Sequence, residues 1–287
     1  MIRIFLLFVI PFCSFSQTVK FRQYKKGETF RYRLTTEVYR NEKFASKTIS
    51  ISEHTVVKDT GFYSEEIKWI KQTSYTAKDT VDMDTIAQRV KAYRISLSSK
   101  GKVLLPTLTI SEMVGPITDL NTFYVAISPA LNAQKLSLKN KSIHNPEIRK
   151  GHFADSMVIL YGIDCMQVTQ QLISRSKQYS VLEAIFTPPP FLSIVPLIDT
   201  IGKKTFDSPN NIQMIIRSTG DKVNLFWGVE QFSIISKISN ANGQIAEASM
   251  TNTLNLRMRY NSSRDLKTYE MEMPMIIKRS LKLELLE

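Results

Sequence analysis

Two cysteines and three histidines among 287 residues exclude more chemistry than any residue present supplies. Two cysteines cannot build a disulfide framework, so a packed core must hold the fold. His54, His144 and His152 are spaced unlike metal ligands on one strand or helix. Glycine and proline number only 10 and 11, which sets aside collagen-like and low-complexity chains. After residue 16 no run reaches the roughly 18 apolar residues of a spanning helix. G-x-S-x-G, H-E-x-x-H, C-x-x-C, the P-loop and the G-x-G-x-x-G fingerprint are all missing, so the usual signatures of serine hydrolases, zincins, thiol oxidoreductases and nucleotide binders are gone. Asp79, Asp82 and Asp84 lack the glycine and closing glutamate of a calcium loop and read as a charged connection between strands. His152 with Asp155 reads as a loop or the start of a strand. No metal, cofactor or catalytic residue is expected.

What is present begins with a short leader. Met1 to Arg3 carry one positive charge, residues 4–12 are apolar, and small residues at Ser14 and Ser16 suit cleavage before Gln17. Nine apolar residues make about 14 Å of helix, half of a bilayer core. Residues 1–16 are therefore expected to be a cleaved signal peptide, leaving a periplasmic or extracellular protein of residues 17–287. Phe12 stands where a lipobox needs a small residue before Cys13, so a lipoprotein is not expected. The remaining thiol, Cys165, reads as a buried, inert one.

Composition is otherwise that of a globular domain, with 43% apolar and 22% charged residues. The core pattern has period two. Phe30, Tyr32, Leu34, Thr36 and Val38 alternate with polar neighbours, as do Val223 to Val229, Leu254 to Tyr260, and Leu281, Leu283 and Leu285 against Ser280, Lys282 and Glu284. Half-polar strands belong to antiparallel sheets with one wet face. Lys58 to Gly61, Ser98 to Gly101 and Asn240 to Gly243 read as hairpin turns. Asp119 to Ile127 fits a helix capped by Thr118 or Asp119, although it also fits alternation. The expected fold is mainly β: a curved antiparallel sheet, half-barrel or sandwich with hairpin connections and one or two short helices. The segments around Gly101 and Gly243 echo one another, which raises a duplication of about residues 17–135 and 150–287 within one domain. The triple proline 188–190 cannot sit in a central strand.

Charge is uneven. The formal net charge is +12, and its surplus gathers in residues 17–43 and 257–282. If those terminal strands are neighbours, their wet faces make one basic surface that attracts anions. Arg31, Arg33, Arg257 and Arg259 are the candidate head-group contacts, and Trp69, Phe226 and Trp227 the candidate aromatic wall. Lipid, glycolipid or acidic polysaccharide suits such a surface. Nucleic acid does not, since no recognition helix, RNP motif or zinc finger occurs.

The leader ending Ser-Phe-Ser-Gln, the strand opening Lys-Lys-Gly-Glu-Thr-Phe-Arg-Tyr-Arg-Leu and the Ser-Ser-Lys-Gly-Lys-Val turn resemble exported β-rich proteins of unknown function from Bacteroidetes. The resemblance implies an envelope protein and carries over no active-site residue. The expected function is non-enzymatic binding of an apolar or anionic ligand, on a half-barrel similar to periplasmic lipoprotein carriers. One alternative is a cell-wall or capsular polysaccharide enzyme using Glu65, Glu66 and Asp199 as paired carboxylates. Another is an extracellular structural or adhesive subunit.

Overall fold

The computed structural model describes residues 19–101, 103, 106, 108–128, 131, 143–145, 151–153, 158–162, 168–186, 192–196 and 212–286. The leader, Cys165, the triple proline, Asp155 and Asp199 lie outside the described residues. Long alternating segments become long strands: β1 Thr29–Arg40, β2 Lys43–Lys58 and β3 Tyr63–Thr76 form a meander. Short β4 Thr80–Asp82 and β5 Tyr93–Ile95 flank the outer edge of β3, with α1 Asp84–Gln88 between them. Helix α2 spans Val114–Ile127. Then follow β6 Ile143–Asn145, β7 Gly151–Phe153, β8 Val158–Gly162, β9 Val168–Arg175, β10 Tyr179–Phe186, β11 Leu192–Pro196 and β12 Ile212–Arg217. Three long strands end the chain: β13 Val223–Ser239, β14 Ile245–Ser262 and β15 Met271–Leu286.

All fifteen strands belong to one sheet, ordered β4-β3-β2-β1-β15-β14-β13 and then forked. The first half of β13 pairs with β12, which leads to β11, β8 and β7, whereas its second half pairs with β10, which leads to β9 and β6. Every pairing between these strands is antiparallel except β11 with β12, and an isolated parallel bridge joins Val19 to Leu131. The terminal strands are neighbours, from Arg31 opposite Leu286 to Arg40 opposite Ile277, which meets the condition set for their charges to share a face.

The sheet curls around α2. Seven strands abreast span about 29 Å at about 4.8 Å each, yet α2 is reached from both sides: Arg279 of β15 and Tyr124's partner His54 of β2 touch it, and Gln170 of β9 donates to the Ala126 carbonyl. A flat sheet could not converge so on one helix. Leu120, Phe123, Tyr124 and Ile127 of α2 pack with Tyr32, Leu34, Trp69, Ile234, Met250, Leu281 and Leu283 in the main core. On the convex side a second, smaller core of Ile215, Val223, Leu225 and Trp227 lies under Leu266 of the β14–β15 loop. The apolar phase of β13 changes accordingly, from odd positions 223–227 to even positions 232, 234 and 238, with no bulge between them. The strand thus passes from one core to the other along its length.

Two turns agree with the sequence pattern and one does not. Gly61 and Gly243 adopt φ of 86° and 70° at the β2–β3 and β13–β14 hairpins. Gly243 is doubly constrained, since a Cβ there would lie 2.8 Å from the Phe21 carbonyl oxygen of the N-terminal segment crossing over it. At Gly101 a turn forms, its N–H bonded to the Ser98 carbonyl, but no described strand follows to make a hairpin. Glycine is required there because Ser96 Oγ occupies the place of its Cβ, at 2.2 Å. Helix α2 also begins five residues before Asp119, with Met113 rather than Thr118 or Asp119 at its N-cap; a 3-10 turn at Ser111–Met113 leads into it, and Pro116 is tolerated in its first turn.

Leu120→Ala removes a wholly buried side chain at the α2–sheet contact and should cost about 2–5 kcal/mol. Ile173→Ala, 46% exposed on β9, should stay within about 0.5 kcal/mol. Urea unfolding of both variants checks the placement of α2.

Candidate functional site

Residues opposite one another in an antiparallel register share a face, so the pairing sorts every candidate residue. Arg31 and Arg33 stand on the convex face of β1, bonded to Glu53 at 2.7 Å and facing Glu284 at 3.9 Å. Arg257 and Arg259 share the carboxylate of Glu272 at 2.6 and 2.7 Å, and the Arg259 hydrogen bond holds that carboxyl below its ordinary range. Arg259 is also stacked between Trp227 and Tyr269, 5.0 and 4.5 Å from their ring centroids. Beside it a shallow convex groove of about 290 Å³ is lined by Trp227, Arg257, Pro274 and Ile276. Trp69 is buried in the main core. Phe226, adjacent to Trp227, necessarily faces the other way, onto the concave side. The basic terminal strands are therefore interlaced with acids: Lys47 with Glu37, and Lys282 with Glu247 and Glu284, join the pairs above. Glu65 and Glu66 point to opposite faces, Glu65 inward and Glu66 outward to Arg94 at 3.1 Å, so they make no cleft pair. Asp82 and Asp84 accept backbone N–H groups of Asp84 and Gln72 at 2.8 Å.

The concave face holds what the motifs did not announce. Ser52 Oγ lies 3.0 Å from His54 Nε2, and His54 Nδ1 lies 3.0 Å from Glu65 Oε2. Tyr124 of α2 donates to the same oxygen at 2.6 Å, and Arg22 Nε approaches Glu65 Oε1 at 3.7 Å. His54 is also stacked on Phe30, with ring centroids 5.2 Å apart. The order Ser, His, Glu imitates a nucleophile relay, but Ser52 is 1% exposed and His54 wholly buried, so no substrate reaches the hydroxyl. The cluster instead fastens the N-terminal segment, β2, β3 and α2 together. Burial and the Glu65 charge push the Tyr124 hydroxyl well above its ordinary pKa, keeping it a donor.

Beyond α2 the concave face continues as apolar rungs. Gly228, Leu256 and Met275 stand abreast; the next rung is Met214, Phe226, Met258 and Met273, and beyond it Tyr260 stands opposite Met271 while Ile216 stands opposite the polar Asn224. Leu256 and Met258 are buried, Phe226, Met214, Met273 and Met275 half-buried, and Ile216, Tyr260 and Met271 are 44, 41 and 46% exposed. These residues belong to neither core. The signal for this strip was the alternation Met271, Met273, Met275 in the sequence.

No family model and no curated protein matches this chain. Among solved structures, a lipovitellin studied for its lipid–protein interactions shares 11% identity at a TM-score of 0.43, over 92% of this chain and 26% of its own. The chain thus spans about a quarter of lipovitellin's length. A LolA-superfamily protein from Nitrosomonas europaea shares 9% identity at a TM-score of 0.14, covering 92% and 89%. Both likenesses are distant.

Glu65→Ala leaves His54 and Arg22 buried without their shared partner and should cost about 3–5 kcal/mol in urea unfolding. A second expectation concerns pH. Burial raises the Glu230 carboxyl above its ordinary value, against the lowering by Asn252 and Arg279. A carboxyl raised in the folded state contributes most below its unfolded pKa near 4.5, and the contribution is lost as pH rises through the folded value. Glu230→Gln should accordingly gain stability at pH 7 and lose less Tm than the parent between pH 5 and 7; equal slopes in a thermal melt series would refute this.

Proposed function

We propose that this chain is an exported envelope protein that binds a lipid-like apolar ligand on the concave strip and does not transform it chemically. The supporting observation is the row of apolar rungs running from the edge of the α2 core out to solvent. Large apolar patches left outside a core mark binding surfaces, and methionine suits them because its unbranched, polarizable chain adapts to varied shapes. Covering one such side chain contributes about 1.5–3 kcal/mol, while a micromolar complex needs about 8 kcal/mol net of association costs. A ligand must therefore cover several rungs at once, which favours a long hydrocarbon chain over a compact ring.

Binding without chemistry accords with the enclosed Ser52 and with the opposed faces of Glu65 and Glu66. The convex face of β1 and β15 sets Arg31, Arg33, Lys278 and Lys282 against Glu37, Glu272 and Glu284, close to charge balance, so the reading rests on the strip and not on charge. Export from the cytoplasm rests on the leader of residues 1–16.

Protein purified from the periplasm under mild conditions should carry a reproducible extra mass in native mass spectrometry, identified as lipid after extraction. Met273→Asp should lower that occupancy about tenfold, whereas Ile173→Asp on the convex face should not. A clean apo mass for the parent protein, or labelling of Ser52 by a fluorophosphonate probe, would overturn the reading.

A further inference from the structure

Several cations of the long strands are met by carboxylates: Arg31 by Glu53, Lys47 by Glu37, Lys282 by Glu247 and Glu284, and Arg257 and Arg259 by Glu272. At the β1–β2 hairpin the arrangement is different. Arg40 stands directly opposite Lys43, and like charges so placed repel one another. Both residues are exposed, and neither enters an ion pair or a side-chain hydrogen bond among the described residues. The turn between them brings no neutralisation, because the Glu42 carboxylate lies 3.7 Å from Lys278, which stands opposite Tyr39 on the convex face.

The register sets this pair of cations against the uncovered strip. Arg40 lies opposite Ile277 of β15, and Ile277 opposite Leu254 of β14, so Lys43, Arg40, Ile277 and Leu254 share one concave rung. The rung inward, Asn252 with Arg279, is closed by Asp119 of α2, which accepts from Arg279 at 2.7 and 2.5 Å. The rung outward is Leu256 with Met275. The pairing of β1 with β15 ends at Arg40, so the two cations stand at the corner from which Met275, Met273 and Met271 run on. The carboxylate of the same rung, Glu230, is three strands from Arg40, about 14 Å at about 4.8 Å per strand.

An anionic group at this corner answers both features. A carboxylate or phosphate between Arg40 and Lys43 accepts charge-assisted hydrogen bonds from each, which are stronger than neutral ones, and removes their mutual repulsion. A neutral head leaves that repulsion in place. From Ile277 to Met271 is six residues of strand, about 20 Å at about 3.4 Å each, over which Met275, Met273 and Met271 lie abreast of Leu256, Met258 and Tyr260. We propose that the strip takes a single-chain amphiphile with an anionic head, the head seated on Arg40 and Lys43 and the chain laid along Met275 and Met273. This rests on the reading of the strip as a lipid site and names the class of lipid. The convex arginines expected to meet the head group lie on the other face.

The test titrates four ligands of one chain length, each below its micelle-forming concentration, by displacement of a fluorescent fatty probe from the purified protein: the fatty acid anion, lysophosphatidic acid, the monoacylglycerol and the methyl ester. Inorganic phosphate and vesicles of phosphatidylglycerol are offered in parallel. The two anionic amphiphiles should bind about tenfold more tightly than the two neutral ones, and the advantage should shrink at high salt because both cations are exposed. Inorganic phosphate should displace no probe. Arg40→Gln combined with Lys43→Gln should erase the preference and leave monoacylglycerol binding unchanged, whereas Arg33→Gln on the convex face should keep it. Equal binding of anionic and neutral heads by the parent, a preference that survives the double variant, displacement by inorganic phosphate, or capture of the vesicles without a preference for the monomeric anions would overturn the head-group assignment and leave the strip standing. If none of the four amphiphiles binds, the strip reading falls and this inference with it.

Discussion

A carboxylate sealed from water governs how this sheet is filled. Glu65 stands on the concave face of β3, 2% exposed, where an unpartnered charge would be untenable. Its partners come from three parts of the chain: Arg22 from the N-terminal segment, His54 and, through it, Ser52 from β2, and Tyr124 from α2. Meeting them fixes the depth and rotation of α2 in the trough. That placement has a consequence at the other end of the helix, because Asp119, five residues before Tyr124, comes within reach of Arg279. One buried ion thereby sets where the filled core stops and the uncovered strip begins.

The division of the sheet into two differently covered regions follows from the same placement. Where α2 lies, the concave face is dry and the convex face carries cross-strand ion pairs such as Arg31 with Glu53. Farther along β13, the β14–β15 loop folds over the convex side, seats Leu266 on Leu225 and Trp227, and stacks Tyr269 on Arg259. A long strand can serve both arrangements only if its apolar phase changes along its length, which β13 does around Gly228. Gly228 adopts a φ of 154°, and a Cβ there would lie 2.1 Å from the Asn255 carbonyl oxygen, so only glycine fits between β13 and β14 where the covered face changes.

Much of the architecture was legible in the sequence. Alternation located β1, β13, β14 and β15, Asn242-Gly243 marked a hairpin, and the charge-rich termini proved to be adjacent strands. The pairing of those charges was not legible, since it depends on register: Arg257 and Arg259 meet one glutamate only because Glu272 lies opposite Arg259. The Glu65 cluster was hidden for a different reason. On β2 the binary pattern is inverted, with Ser50, Ser52 and His54 buried and Ile49 and Ile51 half-buried on the wet face. A reader of hydropathy places that strand the wrong way round; only the partners supplied by β3 and α2 make its polar face the inner one. The Asn252 and Arg279 rung was equally silent, being two polar positions within otherwise apolar alternations.

The pairing of β1 with β15 joins segments more than two hundred residues apart at the middle of the sheet. The meander β1–β2–β3 therefore waits with an open edge, and β14 likewise, until residues 271–286 arrive to fill the gap. Loops this long close slowly, and a topology dominated by distant contacts delays folding. Until β15 is in place the central seam stays empty, so the two halves of the sheet cannot join. Such an arrangement leaves closure of the central seam to β15, whichever part of the sheet forms first.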